Sequence, residues 1–320
     1  MKQHNFPSLR RAEALVSVLA LTFLIAMQPN CLWAAGEQRF NTPDEAVKAL
    51  IAAAQAKDTN AMHAYFGPTG HELVSPDVVQ ATEEFNVFVQ RLTEKTEIVR
   101  ESDSKATLEL GADGWPFPIP LMKLEGHWFF DTAAGKEEIF RRRIGLNEIG
   151  AIRVCYAYVD AQREYATKDQ NGGEVLQYAQ HLRSTAGAHD GLYWRAEQAG
   201  DELSPLGPLI AQAHGEGYRR TTKILTEDQS PYHGYYFKIL TRQGRHAPGG
   251  KYNYIINGHM IAGFAFIAWP DEWGNTGVMT FMVNQQGKVY QKNLGPKTSS
   301  TASSTTAYDP DDTWTLAKEE

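Results

Sequence analysis

The sequence predicts an α+β fold, and three observations predict it. Apolar residues recur at helical spacing over 42–93 and again over 136–165. Short apolar segments separated by turn residues fill 97–130 and the region after residue 232. Helices therefore come before strands twice along the chain. We expect two units, each with helices packed on an antiparallel sheet.

The first 35 residues have the three-part layout of a secretory signal peptide. Lys2, Arg10 and Arg11 form a basic head, and residues 14–27 carry no charge. Small residues follow at 34–36, so we expect cleavage after Ala35. An uncleaved anchor is the alternative, but the apolar run is shorter than the roughly 20 residues that cross a bilayer. We therefore expect an exported protein, periplasmic or secreted, with no stable membrane span after cleavage.

Cleavage changes the charge and the cysteine count. The full chain has a net charge of −7, and the signal peptide removes three basic residues and one acidic residue, which leaves −9. An acidic chain argues against nucleic acid as a partner. Cys155 is then the remaining cysteine, and its apolar helical surroundings predict that it is buried.

Residues 36–135 form the first predicted unit. Asn41 or Thr42 caps a helix and Glu45 completes a capping box. Further helices are predicted from residue 58 to 66 and over 78–93. Strands are predicted over 97–101, 105–110, 117–123 and 126–130.

This order of elements resembles the cone-shaped nuclear-transport-factor-2-like fold. The opening TPDEAVKALIAAAQAKDTNAMHAYF and the closing GHWFFD carry the resemblance. It implies a helix inside a curved sheet, with a small-molecule pocket. His127 and Asp131 share strand parity, so His127, Trp128 and Asp131 are the candidate pocket residues. The alternative is that these strand residues simply alternate between the core and the solvent and line no pocket.

Residues 136–295 form the second predicted unit. A helix of about thirty residues is predicted up to the break at 170–173, and a shorter helix over 174–183. Residues 196–230 are rich in turn signals. Strands are predicted over 235–240, 263–269, 277–283 and 288–292, with a hairpin loop at 284–287 whose Gly287 allows positive φ.

Two segments of this unit resemble a known family. Residues 145–166 read GLNEIGAIRVCYAYVDAQREYA, and 234–240 with 263–295 contain GYYFKIL and GFAFIAWPDEWGNTG. Together they closely resemble an exported bacterial family called domain of unknown function 2950 (DUF 2950). The resemblance implies export and a fold, and no activity.

The same segments are similar to the globular half of type IV pilins and pseudopilins. The similar positions are Asn147, Glu148, Ala151, Ala161, Gln162, Tyr165, Gly234 to Phe237, Trp269, Pro270 and Gly277 to Gly287. In pilins the helix follows a mature apolar amino terminus, whereas here it follows a whole predicted unit. We therefore expect a pilin-like fold that is used outside a fibre.

No motif indicates a catalytic, cofactor or metal site. The glycine pairs lack the Lys-Ser/Thr of a phosphate loop, and Gly-x-Ser-x-Gly does not occur. His181, His189 and Asp190 have no standard zinc spacing, and Asp309 to Asp312 is too short for a calcium loop. The sequence therefore predicts neither catalytic residues nor a cofactor.

Aromatic residues after position 232 are the best indication of a partner surface. Half of them face the core of a sheet, but Trp269, Pro270 and Trp273 are predicted to lie on a loop. The Ser- and Thr-rich tail, 296–320, is predicted to be disordered, with docking through Tyr308 and Trp314 as an alternative for part of it. We expect a non-enzymatic envelope interaction or scaffold module. A small-molecule binder that uses the amino-terminal pocket is the alternative.

Overall fold

The structure confirms the α+β fold class. A computed structural model describes residues 37–170, 172–196, 198, 201–218 and 230–318. The predicted signal peptide and its cleavage site at Ala35 lie outside these residues. Of the helices that the structure describes, none is long and apolar enough to cross a membrane.

Three capped helices come first among the described residues: α1 (Pro43–Ala56), α2 (Thr59–Phe66) and α3 (Val78–Glu94), with a 3-10 helix at Pro68–Leu73 between the last two. The predicted capping box is confirmed: Thr42 Oγ1 accepts the Glu45 N–H, and Glu45 Oε2 accepts the Asn41 N–H. Asp58 and Asp77 cap α2 and α3 in the same way, because their carboxylates accept otherwise unpaired N–H groups of the first turn.

The amino-terminal sheet is antiparallel, in the order β1-β2-β4-β5, and β3 pairs with β2. Its strands are β1 (Thr96–Arg100), β2 (Lys105–Leu110), β3 (Trp115–Pro116), β4 (Leu121–Leu124) and β5 (His127–Phe130). One strand was predicted over 117–123, whereas the structure has two short ones. Pro118 and Pro120 lack the N–H group that a ladder needs, which interrupts the strand.

Helix α4 (Thr132–Tyr165) is the longest element, and Asp131 caps it. It starts four residues earlier than predicted. Ile139 packs on the amino-terminal core, while Val154 and Tyr158 belong to the carboxy-terminal core. Cys155 is fully buried in the latter core, as predicted, and burial raises the pKa of its thiol.

The segment between α4 and the second sheet differs from the prediction. Residues 174–183 are not a helix but an extended segment that ends in β6 (His181–Arg183), which pairs in parallel with β7 (Gly191–Tyr193). Gln162 of α4 holds this segment through both the N–H and the carbonyl of Ala179, at 2.8 Å each. Helix α5 (Gly207–Gly215) lies where turns were predicted.

The carboxy-terminal sheet is also antiparallel, in the order β16-β15-β14-β13-β8. Two-residue strands pair beside it. The strands are β8 (Tyr235–Leu240), β9 (Arg242–Gln243), β10 (Tyr252–Asn253), β11 (Ile255–Ile256), β12 (His259–Met260), β13 (Ala265–Pro270), β14 (Met279–Asn284), β15 (Tyr290–Asn293) and β16 (Thr315–Leu316). Gly287 has φ +74° in the predicted hairpin loop. Helix α4 packs on β13 and β14, and Tyr158 stacks on Phe266 at 4.0 Å.

The prediction of a disordered tail is wrong for residues 296–318. A 3-10 helix (Gly295–Lys297) leads into α6 (Thr298–Ser304), and β16 pairs with β15. Tyr308 is fully buried, which agrees with the alternative of docking through this side chain. Low mean hydropathy did not prevent order here, because neighbouring parts of the fold supply the buried surface.

Candidate functional site

The predicted partner surface is only partly exposed. Trp269 and Pro270 lie in β13 and are buried, so they do not belong to an exposed surface. Strand pairing with β8 explains this: Trp269 faces Tyr236, and Pro270 faces Tyr235. Trp273 is 39 % exposed. It lies in the loop 271–277, which we call the tryptophan loop.

Hydrogen bonds within the tryptophan loop define its shape. The Glu272 N–H donates to Thr276 Oγ1 at 3.0 Å, and the Gly274 N–H donates to the Gly277 carbonyl at 2.9 Å. Asn275 Nδ2 donates to Glu272 Oε2 at 2.8 Å. The loop is therefore closed on itself by both backbone and side-chain bonds.

Side chains of helix α4 form hydrogen bonds with this loop. Arg143 Nη1 donates to Asn275 Oδ1 at 2.8 Å, and Asn147 Nδ2 donates to the Thr276 carbonyl at 2.9 Å. Arg143 and Asn147 are four residues apart, which places them on one face of the helix. Glu148 Oε1 accepts the N–H groups of residues 278 and 279, at 2.9 Å each. Two consecutive turns of α4 thus fix the loop and the start of β14.

Two glycines allow the backbone to approach closely at this point. A Cβ on Gly277 would lie 2.2 Å from Tyr235 Oη, and a Cβ on Gly234 would lie 2.7 Å from Thr276 Cβ. Gly234 also has φ +68°, a conformation that glycine adopts without steric cost. Asn147 and Gly234, which come from the two segments that resemble a known family, therefore meet at the tryptophan loop.

Helix α3 contacts the same two residues of α4. Gln80 Nε2 donates to Asn147 Oδ1 at 2.6 Å, and Glu84 lies 3.6 Å from the Arg143 guanidinium. Arg143 is 3 % exposed and also donates to the Leu73 carbonyl. Burial raises the pKa of Glu84, although Arg143 opposes this shift. A polar network centred on the buried Arg143 and Asn147 thus joins the two halves of the chain.

A second polar cluster lies beside this network, at the amino-terminal end of α3. Tyr218 Oη donates to Asp77 Oδ2 at 2.7 Å and accepts the His233 N–H at 3.2 Å. His233 Nε2 lies 2.9 Å from Glu216 Oε2, which also accepts the Tyr232 hydroxyl at 3.1 Å. We call these five residues the tyrosine–carboxylate cluster.

The pKa values of Tyr218 and Glu216 in this cluster shift in opposite directions. Burial and the neighbouring Asp77 carboxylate raise the pKa of Tyr218. Burial also raises the pKa of Glu216, but hydrogen bonds from Gln212, His233 and Tyr232 outweigh it and lower the net pKa. Tyr218 therefore stays protonated at neutral pH, while Glu216 is ionised.

The tyrosine–carboxylate cluster was missed by the sequence analysis. Asp77 lies more than a hundred residues before the other four, which fall in the segments 216–218 and 232–233, so no short motif contains the cluster. His233 has φ +47°, which is uncommon for a residue other than glycine. The contact with Glu216 fixes the orientation of its imidazole ring.

A comparison with known families matches the part of the chain that contains both the tryptophan loop and the tyrosine–carboxylate cluster. The model of a family described as protein of unknown function, DUF2950, matches residues 37–317. The chain belongs to the DUF2950 family. Neither the curated proteins nor the solved structures contain a match to it. The matched range includes the tryptophan loop, the tyrosine–carboxylate cluster and nearly all of the tail.

The predicted pocket residues have three separate roles in this DUF2950 chain. His127 is exposed, with Nδ1 3.2 Å from the Glu125 carbonyl oxygen. Trp128 is buried and pairs with Phe40. Asp131 accepts the Ala134 N–H as the cap of α4. Nearby, burial and the Asp131 charge raise the pKa of Glu37 to about 7.

The predicted loop histidines also have local partners. His189 stacks on Trp194 at 4.1 Å, and Asp190 accepts hydrogen bonds from Thr185. His181 lies in β6. In the part of the chain that the structure describes, no group of three or more His, Cys, Asp or Glu side chains could hold a metal ion.

A small apolar cavity of about 30 Å³ lies between α4, α5 and the carboxy-terminal sheet. Val154, Tyr158, Ile210, Tyr232 and Phe266 contribute to its lining. This volume is on the order of one water molecule, but the apolar lining does not favour water, which needs polar partners. The cavity is a packing defect and is too small for a metabolite in this conformation.

Proposed function

We propose that this DUF2950 protein is an exported, non-enzymatic binding module that engages another protein of the cell envelope through the tryptophan loop. The observation that supports this most is the 39 % exposed indole of Trp273 on a loop that the fold immobilises. Tryptophan is one of the side chains enriched at the energetic centres of protein interfaces.

The hydrogen bonds beneath the loop favour binding because they lower its entropic cost. Arg143, Asn147 and Glu148 fix the backbone around Trp273 before any partner arrives. Trp273 Nε1 donates to Asn293 Oδ1 at 2.9 Å, which also fixes the indole ring. Little side-chain freedom is then left to lose on association, and preorganised contacts of this kind raise affinity.

Export and location are part of the proposal. The basic head, uncharged run and small residues of 1–35 support secretion into the periplasm or beyond the cell. The packing of α4 on β13 and β14 supports a pilin-like carboxy-terminal half. The helices packed on a sheet in 40–130 support a cone-like amino-terminal half.

In-cell photocrosslinking tests the proposal. We would place a photoreactive phenylalanine at position 273 of the full chain, export it, and identify the crosslinked protein by mass spectrometry. The identified partner would then be purified and its affinity measured. We expect Trp273→Ala to weaken binding at least tenfold, as truncation of a central tryptophan does in other interfaces.

Leu176→Ala is the matched control, because Leu176 is 59 % exposed and lies on a different segment. It should leave the affinity within about twofold. Thermal melting of both variants would exclude misfolding. Equal affinity of Trp273→Ala and wild type for the identified partner would contradict the proposal.

Small-molecule binding in the amino-terminal half is a second candidate function, and one observation favours it. Glu37 is half-buried beside Asp131, a predicted pocket residue, and perturbed carboxylates of this kind concentrate at functional sites. A thermal-shift screen of wild type and Glu37→Gln against the same compounds would test it. A compound that raises the melting temperature of the wild type alone would support this function. Equal increases for both proteins would argue against a role of Glu37 in binding.

A further inference from the structure

The tail packs on one identifiable face of the carboxy-terminal sheet. We call residues 295–318 the strap. Tyr158 of α4 stacks on Phe266, so strand alternation turns Ile267 and Trp269 to the opposite face. Lys238 is the cross-strand neighbour of Ile267, and its Nζ donates to the Ser303 carbonyl in α6 at 2.6 Å. The strap therefore covers the face that carries Ile267 and Trp269.

The covered face is apolar. Ile267 and Trp269 are 0 % and 6 % exposed, and Met282, the partner of Ile267 on β14, is 4 % exposed. Without the strap these three side chains would lie together on the surface. Contiguous apolar patches on exposed sheet faces are typical of interaction sites.

The strap itself contributes few buried side chains. Thr298, Ala302, Tyr308 and Pro310 are its buried residues. Helix α6 has only seven residues, all Thr, Ser or Ala, and no side chain caps its amino terminus. Serine and threonine are weaker helix formers than alanine, so docking rather than propensity maintains α6.

The interface between strap and sheet also contains unsatisfied polar atoms. Tyr308 Oη and Thr280 Oγ1 are buried and have no hydrogen-bond partner among the described residues. Thr280 belongs to the same face of β14 as Met282, two residues away. Burying a hydroxyl without a partner costs free energy, which opposes the apolar gain from the Tyr308 ring.

Between α6 and β16, hydrogen bonds at Tyr308 and Asp309 anchor the strap, and the β15–β16 pairing holds its far end. Asp309 Oδ1 accepts the His246 N–H at 2.7 Å, and the Tyr308 carbonyl accepts the Gly244 N–H at 2.8 Å. The approach is so close that a Cβ on Gly244 would lie 2.1 Å from Asp309 Cγ. Any side chain at position 244 would therefore displace Asp309 from its bonds.

We propose that the strap is a releasable cover, which detaches from the sheet while the remaining fold stays intact and so exposes Ile267, Trp269 and Met282. This inference does not depend on partner binding by Trp273. The two regions nevertheless adjoin each other, because Asn293 Oδ1 accepts both the Trp273 indole N–H and the Gly295 N–H. The strap thus starts two residues after Asn293, whose side chain holds the Trp273 indole.

Hydrogen exchange of the full chain, read by mass spectrometry, tests the strap. In wild type we expect peptides that cover 298–308 to exchange at least ~100-fold faster than peptides of β13 and β14, because release needs only local opening. Gly244→Ala should speed exchange of the strap a further ~10-fold or more through the clash with Asp309. Exchange of β13 and β14 should stay unchanged, which separates release from misfolding.

Gly145→Ala is the matched control, since a Cβ there has no heavy atom within 4 Å. It should leave exchange of the strap unchanged. Binding of a hydrophobic dye should rise for Gly244→Ala and not for Gly145→Ala. The proposal is overturned if the strap and the central strands exchange at the same rate in wild type, or if Gly244→Ala does not speed exchange of the strap.

Discussion

Asn147 of α4 donates from Nδ2 to the carbonyl oxygen of Thr276 across 2.9 Å, and both residues are almost completely buried. The same side chain accepts a hydrogen bond from Gln80 of α3 through Oδ1. One amide therefore connects the tryptophan loop with the amino-terminal half of the molecule.

Removing this amide should destabilise the protein. We expect Asn147→Ala to lower the free energy of unfolding by about 2–3 kcal/mol, because it removes the partners of the buried Thr276 carbonyl and of the half-buried Gln80 amide. Urea denaturation measures the loss. Leu146→Ala, at a neighbouring position that is 69 % exposed, should change stability by less than about 0.5 kcal/mol. Similar losses for the two variants would contradict the role of Asn147.

The two glycines Gly277 and Gly145 should respond in opposite ways to alanine. We expect Gly277→Ala to cost about 1–3 kcal/mol, because its Cβ would meet the Tyr235 hydroxyl at 2.2 Å. Gly145 lies in α4 with open space around it, so Gly145→Ala should add about 0.5–1 kcal/mol through helix propensity. The melting temperature should fall for Gly277→Ala and rise for Gly145→Ala. A lower melting temperature for Gly145→Ala would contradict the open space around this residue.

Glu37 should make stability depend on pH. Its pKa is raised from 4.5 to about 7, so between these values the folded state holds a proton that the unfolded chain has released. The free energy of unfolding therefore falls as pH rises from 4.5 to 7, and the penalty is complete above pH 7.

Glu37→Gln should remove this dependence. Because the group is half-exposed and solvent screens it, we expect a gain of only about 1 kcal/mol at pH 8 and almost none at pH 4. Urea titrations at the two pH values measure the difference. Glu83→Gln is the control, since Glu83 is an exposed residue of α3. A gain of equal size at both pH values would argue against a proton-linked cause.

Filling the apolar cavity should stabilise the carboxy-terminal core. Val154 lines the cavity of about 30 Å³, and Val154→Ile would place one methylene in it. We expect a gain of up to about 0.7 kcal/mol at roughly 24 cal/mol per Å³. Val159 is buried and does not line the cavity, so Val159→Ile should overpack the core and cost about 1–3 kcal/mol. Thermal denaturation measures the stability of both variants. Equal losses of stability for Val154→Ile and Val159→Ile would show that the cavity has no room for the added methylene.

Elements with strong local signals were predictable from the sequence. The strands 105–110 and 235–240 agree with the structure at both ends, because alternating burial and nearby turn residues define them. The caps at Thr42 and Asp58 were also local signals. Helix periodicity identified α3 within one residue.

Tertiary contacts determined the parts that the sequence did not predict. The segment 174–183 has helical spacing, but Gln162 binds the Ala179 backbone in an extended form. Trp269 was predicted on a loop, yet pairing with Tyr236 extends β13 over it. The tyrosine–carboxylate cluster joins positions as distant as Asp77 and His233, which no window along the chain detects. Only Trp273 of the predicted surface remains exposed.

Helix α4 has a thermodynamic consequence. At 1.5 Å per residue its 34 residues extend about 51 Å, and it supplies side chains to both cores. Gly135 in its first turn packs so closely on Ile119 that a Cβ would lie 2.7 Å away. Melting either core would therefore leave part of one continuous hydrogen-bonded ladder without tertiary support. Helix α4 therefore couples the two halves energetically. We expect both halves to unfold together in one cooperative transition.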